Sequence, residues 1–168
     1  MDFVRALPEA EEALDLGCGD GRLTRFLRAG SIVGADPSVV ALERAARRVR
    51  GMRAVRVQPD EPLPFDDSCF DVVLCAETIE HVRDLQLFLS EVRRVLRPGG
   101  RLAVTTPAYS RRSALGLLVR GWESEFEPLS PHLRFFTRRS LEKLLDDQGF
   151  DAESLEKKHG TLLARATR

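Results

Sequence analysis

The sequence predicts one α/β domain assembled from parallel βαβ units. Three observations predict it. Short apolar runs alternate with helical patterns over the first two thirds of the chain, a Gly-x-Gly-x-Gly turn follows the first apolar run, and an acidic residue closes the second. The length of 168 residues fits a single domain spanning residues 1–168.

Ala13 to Leu16 is apolar up to Gly17 and reads as the first strand. Leu23, Phe26 and Leu27 then recur at helical spacing, with Gly30 as the stop. Ser31 to Ala35 is a second strand. Asp36 is a candidate N-cap and Pro37 suits a first helical turn, so a helix is expected through Val40, Leu42, Ala45, Ala46 and Val49 to Gly51. Met52 to Val57 reads as a third strand, followed by a loop in which Pro59, Pro62 and Pro64 rule out a regular element.

Phe70 to Cys75 is nearly all apolar, as a strand covered on both faces should be. Leu85, Phe88, Leu89, Val92, Val95 and Leu96 form an amphipathic helix ended by Arg97-Pro98-Gly99-Gly100. Arg101 to Thr106 is a fifth strand, stopped by Pro107. Residues 108–131 depart from the alternation and read as a short helix and a mobile cover, with Trp122 and Phe126 as isolated aromatics. Thr137 to Gln148 is a further amphipathic helix, capped by Thr137 and stopped by Gly149. Phe150 to Leu155 and Thr161 to Ala166 are joined by so short a turn that they must pair antiparallel.

Composition narrows the function. Hydrophobic residues at 43% and charged residues at 31% describe a soluble globular protein with a normal core. The net charge is zero, which gives no sequence-wide attraction to nucleic acid or acidic membranes. Lys143, Lys157 and Lys158 are the only lysines, so arginine supplies the rest of the positive charge, as in a GC-rich composition. No apolar run approaches the roughly 20 residues of a membrane span, and the N-terminus lacks the order of a signal peptide. Cys18, Cys69 and Cys75 contain no CxxC pair, so neither a disulfide framework nor a metal site is expected, and the chain reads as cytoplasmic.

The turn Gly17-Cys18-Gly19-Asp20-Gly21 permits positive φ and close approach of backbone to a ligand, and the helix expected after it would offer free N–H groups. A dinucleotide fingerprint would need its third glycine at position 22, where Arg22 stands, and Asp20 opposes a pyrophosphate; NAD is disfavoured. Asp36, at the end of the second strand, suits two ribose hydroxyls, with a plain N-cap over Pro37 as the alternative.

With these residues in view, LDLGCGDG (14–21), GADPS (34–38), LPFDDSCFDVVLCAETIEHV (63–82) and EVRRVLRPGGRLAVTTP (91–107) resemble successive motifs of class I S-adenosylmethionine-dependent methyltransferases of the small-molecule type, similar to the quinone-biosynthesis C-methyltransferase group. The match is strong from Ala13 to Pro107 and weaker through 132–150 to the end. The resemblance implies a Rossmann-like three-layer sandwich with a seven-stranded, mostly parallel sheet ordered 3-2-1-4-5-7-6 and strand 7 antiparallel. It also implies that Asp15 takes the methionine amino group, that Gly17 and Gly19 let the backbone approach, that Asp36 binds the ribose, and that Cys75, Ala76 and Glu77 line the methionine end.

Two departures stand out. Pro59 occupies the place where the family commonly has an Asp, so either Asp60 takes the adenine role by a one-residue shift or the adenine amine is held by backbone or water. Only about a dozen residues precede the first strand, so the substrate chamber is expected either to be open or to be completed by residues 108–131 or by a partner.

The candidate cofactor-binding set is therefore Asp15, Gly17, Cys18, Gly19, Gly21, Asp36, Pro37, Asp60, Glu61, Cys75, Ala76 and Glu77, with Cys18 also suited to packing inside the turn. His81 and His132 are candidate general bases, each with a capping or packing role as the alternative. The expected chemistry is SN2 transfer from S-adenosylmethionine to a small molecule, releasing S-adenosylhomocysteine, where orientation alone is worth up to roughly 7–11 kcal/mol. The competing expectation is a non-catalytic module that senses the cofactor or supports a partner enzyme. CAETIE (75–80) replaces the polar-Pro-Pro-aromatic stretch of the family's DNA methyltransferases, so no nucleic-acid substrate is expected. Oligomerisation is left open.

Overall fold

The computed structural model describes residues 1–109 and 133–168. Seven strands form one sheet, ordered β3-β2-β1-β4-β5-β7-β6. They are β1 (Ala10–Leu16), β2 (Ala29–Asp36), β3 (Arg53–Arg56), β4 (Phe70–Ala76), β5 (Leu96–Pro107), β6 (Asp151–Lys158) and β7 (Thr161–Thr167). The first five run parallel, and β7 is antiparallel to both β5 and β6. The helices are α1 (Asp2–Arg5), α2 (Val39–Arg48), α3 (Leu85–Val95) and α4 (Arg138–Asp147).

The two faces of the sheet are buried differently. α3 points Leu85, Leu89, Val92 and Val95 at the sheet, and α4 adds Leu141 and Leu145, building the largest core with Leu14, Val73, Leu102 and Phe150. Each such aliphatic contributes about 1.5–3 kcal/mol by leaving water. On the opposite face α1 and the segment after β1 cover Ala13, Val72 and Leu74, while α2 packs Leu42, Ala45 and Val49 on Cys18 and Met52. α4 begins with a capping box between Thr137 and Ser140.

Four local expectations are corrected. The helix expected after the glycine turn is a single 3₁₀ turn, Thr24–Phe26, and Gly30 lies inside β2 rather than ending a helix. Only Gly17 to Arg28 join the two parallel strands, and the Thr24 hydroxyl is drawn inward onto Asp15 Oδ2 at 2.6 Å, so the segment folds down before an α-helix can propagate. Leu23, Phe26 and Leu27 still reach the core, which is why their spacing resembled a helix. Ser38, not Asp36, caps α2, its side chain accepting from Ala41 N at 3.3 Å.

Arg97-Pro98-Gly99-Gly100 belongs to β5 as a bulge: Phe70 pairs with Leu96, but Val72 with Arg101. The ends of the loop are kept in the sheet by Gly99 N on Arg168 O and Arg168 N on Gly100 O. The terminal strands run to Lys158 and Thr167, shrinking the turn to His159 and Gly160, both left-handed. No helix among the described residues is long and apolar enough to cross a membrane. Trp122, Phe126 and His132, with the expected cover apart from Ala108 and Tyr109, lie outside the described residues.

Candidate active site

The chain leaves β1 toward β2 on one side and enters β4 on the other, so the sheet order reverses between β1 and β4. Ligands of open α/β sheets bind at the carboxyl ends of strands at such a point. There the turn after β1 is anchored by Gly17 N and Cys18 N, both donating to Ala35 O. Gly17 has φ +82°, and a Cβ on it would come within 2.4 Å of Thr78 Oγ1. Gly19 has φ +53°, and a Cβ there would meet nothing within 4 Å. Its backbone is thus open to a ligand.

Asp36 secures the tip of this turn. Its Oδ2 accepts from Gly19 N at 2.9 Å and its Oδ1 from Ser38 N at 2.9 Å, leaving lone pairs on both oxygens for hydroxyl donors. Asp20 turns away to Arg48 and Arg22, at 2.8 and 3.2 Å. Gly21 is buried against Ala45 of α2.

Asp15, at 1% exposure, accepts the Thr24 hydroxyl. Burial pushes its carboxyl up to about 7, the Thr24 bond opposes this, and the charge of Asp36 adds to it. A carboxyl so placed gains its charge most readily beside a cation.

Two openings lie near these strand ends, one lined by Gly17 of the turn and one by Leu23 just beyond it. One is an apolar slot of about 170 Å³ that brings together Leu16, Gly17, Pro37, Val57, Asp60, Glu61, Leu63, Thr78 and His81. Asp60, held at φ +58°, gives its carboxylate to Arg83 Nη2 at 2.7 Å and Asp84 N at 3.0 Å. These partners hold its carboxyl below the usual range, the Asp84 amide foremost. Glu61 is exposed on the rim.

The second opening, about 580 Å³, runs from Leu23, Glu77 and Thr105 to Lys158 and Arg165, walled by Phe3 and Val4 of the N-terminal helix. Thr105 Oγ1 donates to Glu77 Oε1 at 2.8 Å, and Glu77 N donates to Thr105 O at 2.9 Å, fixing Glu77 at φ +52°.

The predicted residues therefore divide. Asp15, Gly17, Gly19 and Asp36 gather at the turn; Pro37, Asp60, Glu61 and His81 line the slot; Glu77 faces the larger cavity. Cys18 and Cys75 turn their thiols into the cores, and burial pushes both up, Cys18 to about 12. Only their backbone is left for a ligand. Ala76 is half-buried at the end of β4.

Sequence reasoning passed over Thr24, Thr78, Glu80, Arg94 and Thr105. Glu80 is 1% exposed, accepts Thr106 Oγ1 at 3.0 Å, and has no hydrogen-bond partner for Oε1 among the described residues. Burial pushes its carboxyl up. Its carbonyl accepts from Leu133 N, tying the returning chain to the site. Arg94 binds the carbonyls of Leu63 and Phe65 together with Glu91 and Asp67, so it holds one wall of the slot on α3. An Arg three residues after a Glu was a visible cue, but the carbonyls it serves were not.

Residues 14–104 match the family model of a methyltransferase domain. The mitochondrial ubiquinone biosynthesis O-methyltransferase of Rattus norvegicus is 34% identical over 155 residues, which cover 84% of this chain and 45% of that protein. Demethylmenaquinone methyltransferase of Tropheryma whipplei (strain Twist) is 38% identical over 105 residues, covering 61% and 44% respectively. The chain spans less than half the length of these two curated relatives. An S-adenosylmethionine-dependent methyltransferase of Mesorhizobium loti shares the fold, with a TM-score of 0.77 at 21% identity over 99% of this chain and 96% of that one.

Proposed function

The chain belongs to the methyltransferase-domain family, and from that premise we propose that it transfers a methyl group from S-adenosylmethionine to a small-molecule acceptor by direct SN2 displacement. The observation that carries this reading is the glycine turn after β1, where Asp36 fastens Gly19 and a Cβ on Gly19 would meet no atom, with Gly17 on the wall of the apolar slot and Leu23 on that of the larger cavity. Bound there, S-adenosylmethionine would supply an electrophilic methyl group on its sulfonium.

The residues present fit that group. Asp15 would meet the cationic amino group, which restores the charge that burial disfavours. Asp36 would accept the ribose hydroxyls with its unused lone pairs. Pro37, Val57 and Leu63 would sandwich the adenine. Since Asp60 is committed to Arg83 and Asp84, backbone and water are the better candidates for the adenine amine. Cys75 and Ala76 would contribute backbone where β4 ends.

Acceptor binding falls to the larger cavity. Glu77, braced by Thr105, would orient a hydroxyl or amine in line with the methyl group. His81 lines the slot rather than that cavity, which favours a positioning over a proton-abstracting role for it. The two relatives' names place their acceptors in quinone biosynthesis, which supports a small molecule over a nucleic acid.

Calorimetry with S-adenosylmethionine and S-adenosylhomocysteine tests the cofactor. Micromolar-range binding to the wild type, lost in Asp36→Ala, is expected; no binding of either ligand overturns the reading. Cofactor turnover against a panel of hydroxyl, amine and carbon acids then tests transfer itself.

A further inference from the structure

The zero net charge conceals a segregation of charge that begins in the sequence and that the fold carries to opposite edges of the sheet. Between Arg44 and Arg56 there are six arginines and no acid, although 26 basic residues in 168 would place about two in that stretch (13 × 26/168). An arginine-rich composition does not produce this clustering. Arg48 is paired with Asp20, but Arg44, Arg47, Arg50, Arg53 and Arg56 form no ion pair among the described residues. Arg53 lies over the Phe65 ring and Arg56 donates to Pro37 O, contacts that leave their charge unneutralised.

The topology places these residues on one end of the molecule. β3 is an edge strand with both arginines exposed, and α2 packs beside it with Leu42 and Ala45 turned inward. Val40, Arg44 and Arg47, spaced four and three apart, therefore follow one another on the outer face of α2. Val39 and Val40 are 48% and 57% exposed, among the most exposed large apolar side chains described. Glu43 is the one acid on that face of the helix, and Asp20 is occupied by Arg48. At the opposite edge, residues 142–156 carry six acids against Lys143 alone.

We propose that this edge, α2 with β3, docks on an anionic lipid surface. Arginines attract acidic headgroups while an adjacent aliphatic pair inserts among them, and the acidic far edge orients the approach. A nucleic acid would use the arginines but gain nothing from exposed valines, which is why lipid is the better occupant.

Co-sedimentation of the full chain with vesicles tests this, comparing phosphatidylcholine alone with phosphatidylcholine containing one third phosphatidylglycerol. Binding to the anionic vesicles only, lost as salt is raised, is expected. Each arginine near such a surface is worth roughly fivefold in partitioning, so Arg44→Gln/Arg47→Gln/Arg50→Gln should weaken binding at least tenfold with an unchanged unfolding midpoint. Val40→Asn should weaken vesicle binding severalfold and leave binding to duplex DNA unaltered. Absence of vesicle binding at low salt overturns the proposal. So does duplex DNA binding at least as tight as vesicle binding, with Val40→Asn affecting neither.

Discussion

Replacing Asp15 by Asn separates the cost of the site to the fold from its use. The carboxyl is buried at 1% exposure and titrates at about 7 instead of 3.8, chiefly through desolvation. Its folded value lies above its unfolded one, so the neutral acid contributes stability that is full below pH 3.8 and lost as pH rises through about 7. That rise of the carboxyl's pKa sets an upper limit of roughly 4–5 kcal/mol on the effect.

The Asn amide keeps an oxygen for the Thr24 hydroxyl, so the main change is removal of the charge. Asp15→Asn should match the wild type near pH 4 and exceed it near pH 8. With a urea slope of about 2 kcal/mol/M, the midpoint should rise by up to about 2 M. Urea unfolding followed by circular dichroism at both pH values measures this. A midpoint difference that is the same at both would refute the assignment of a desolvated carboxyl. The variant should also bind S-adenosylmethionine more weakly, since the amide cannot neutralise the amino group.

Other perturbations probe the turn and the slot wall. Gly17→Ala forces a Cβ to 2.4 Å from Thr78 Oγ1 at φ +82° and should cost about 3 kcal/mol, partly recovered by adding Thr78→Ala. Gly19→Ala meets no atom within 4 Å, so thermal unfolding should show a loss of only about 1 kcal/mol while calorimetry shows lost cofactor binding. Arg94→Met strips partners from Leu63 O, Phe65 O and Glu91; denaturant unfolding should show a loss of about 3 kcal/mol, and proteolysis should begin in the loop before β4.

Where local chemistry decides conformation, the chain could be read directly. Apolar runs pointed to seven strands, because strand burial shows in each segment's own side chains, and the short turn before Thr161 required the antiparallel end. Glycine spacing in 17–21 and the acid at Asp36 pointed to the candidate site, because backbone freedom and a strand-end carboxylate are local properties. The rest depended on partners distant in sequence. Thr24 folds inward only because Asp15 lies beneath it, and the bulge at Pro98 to Gly100 exists because Arg168 returns beside it. Asp36 leaves the cap to Ser38 once Gly19 claims its carboxylate. Glu80 could not be told from a surface glutamate until the fold buried it and brought the Thr106 hydroxyl to its carboxyl. Charge shows the same division most sharply: composition sums to zero, while the strand order sends arginines to one edge and acids to the other. Sums over a chain carry no position, and electrostatic attraction acts between positions.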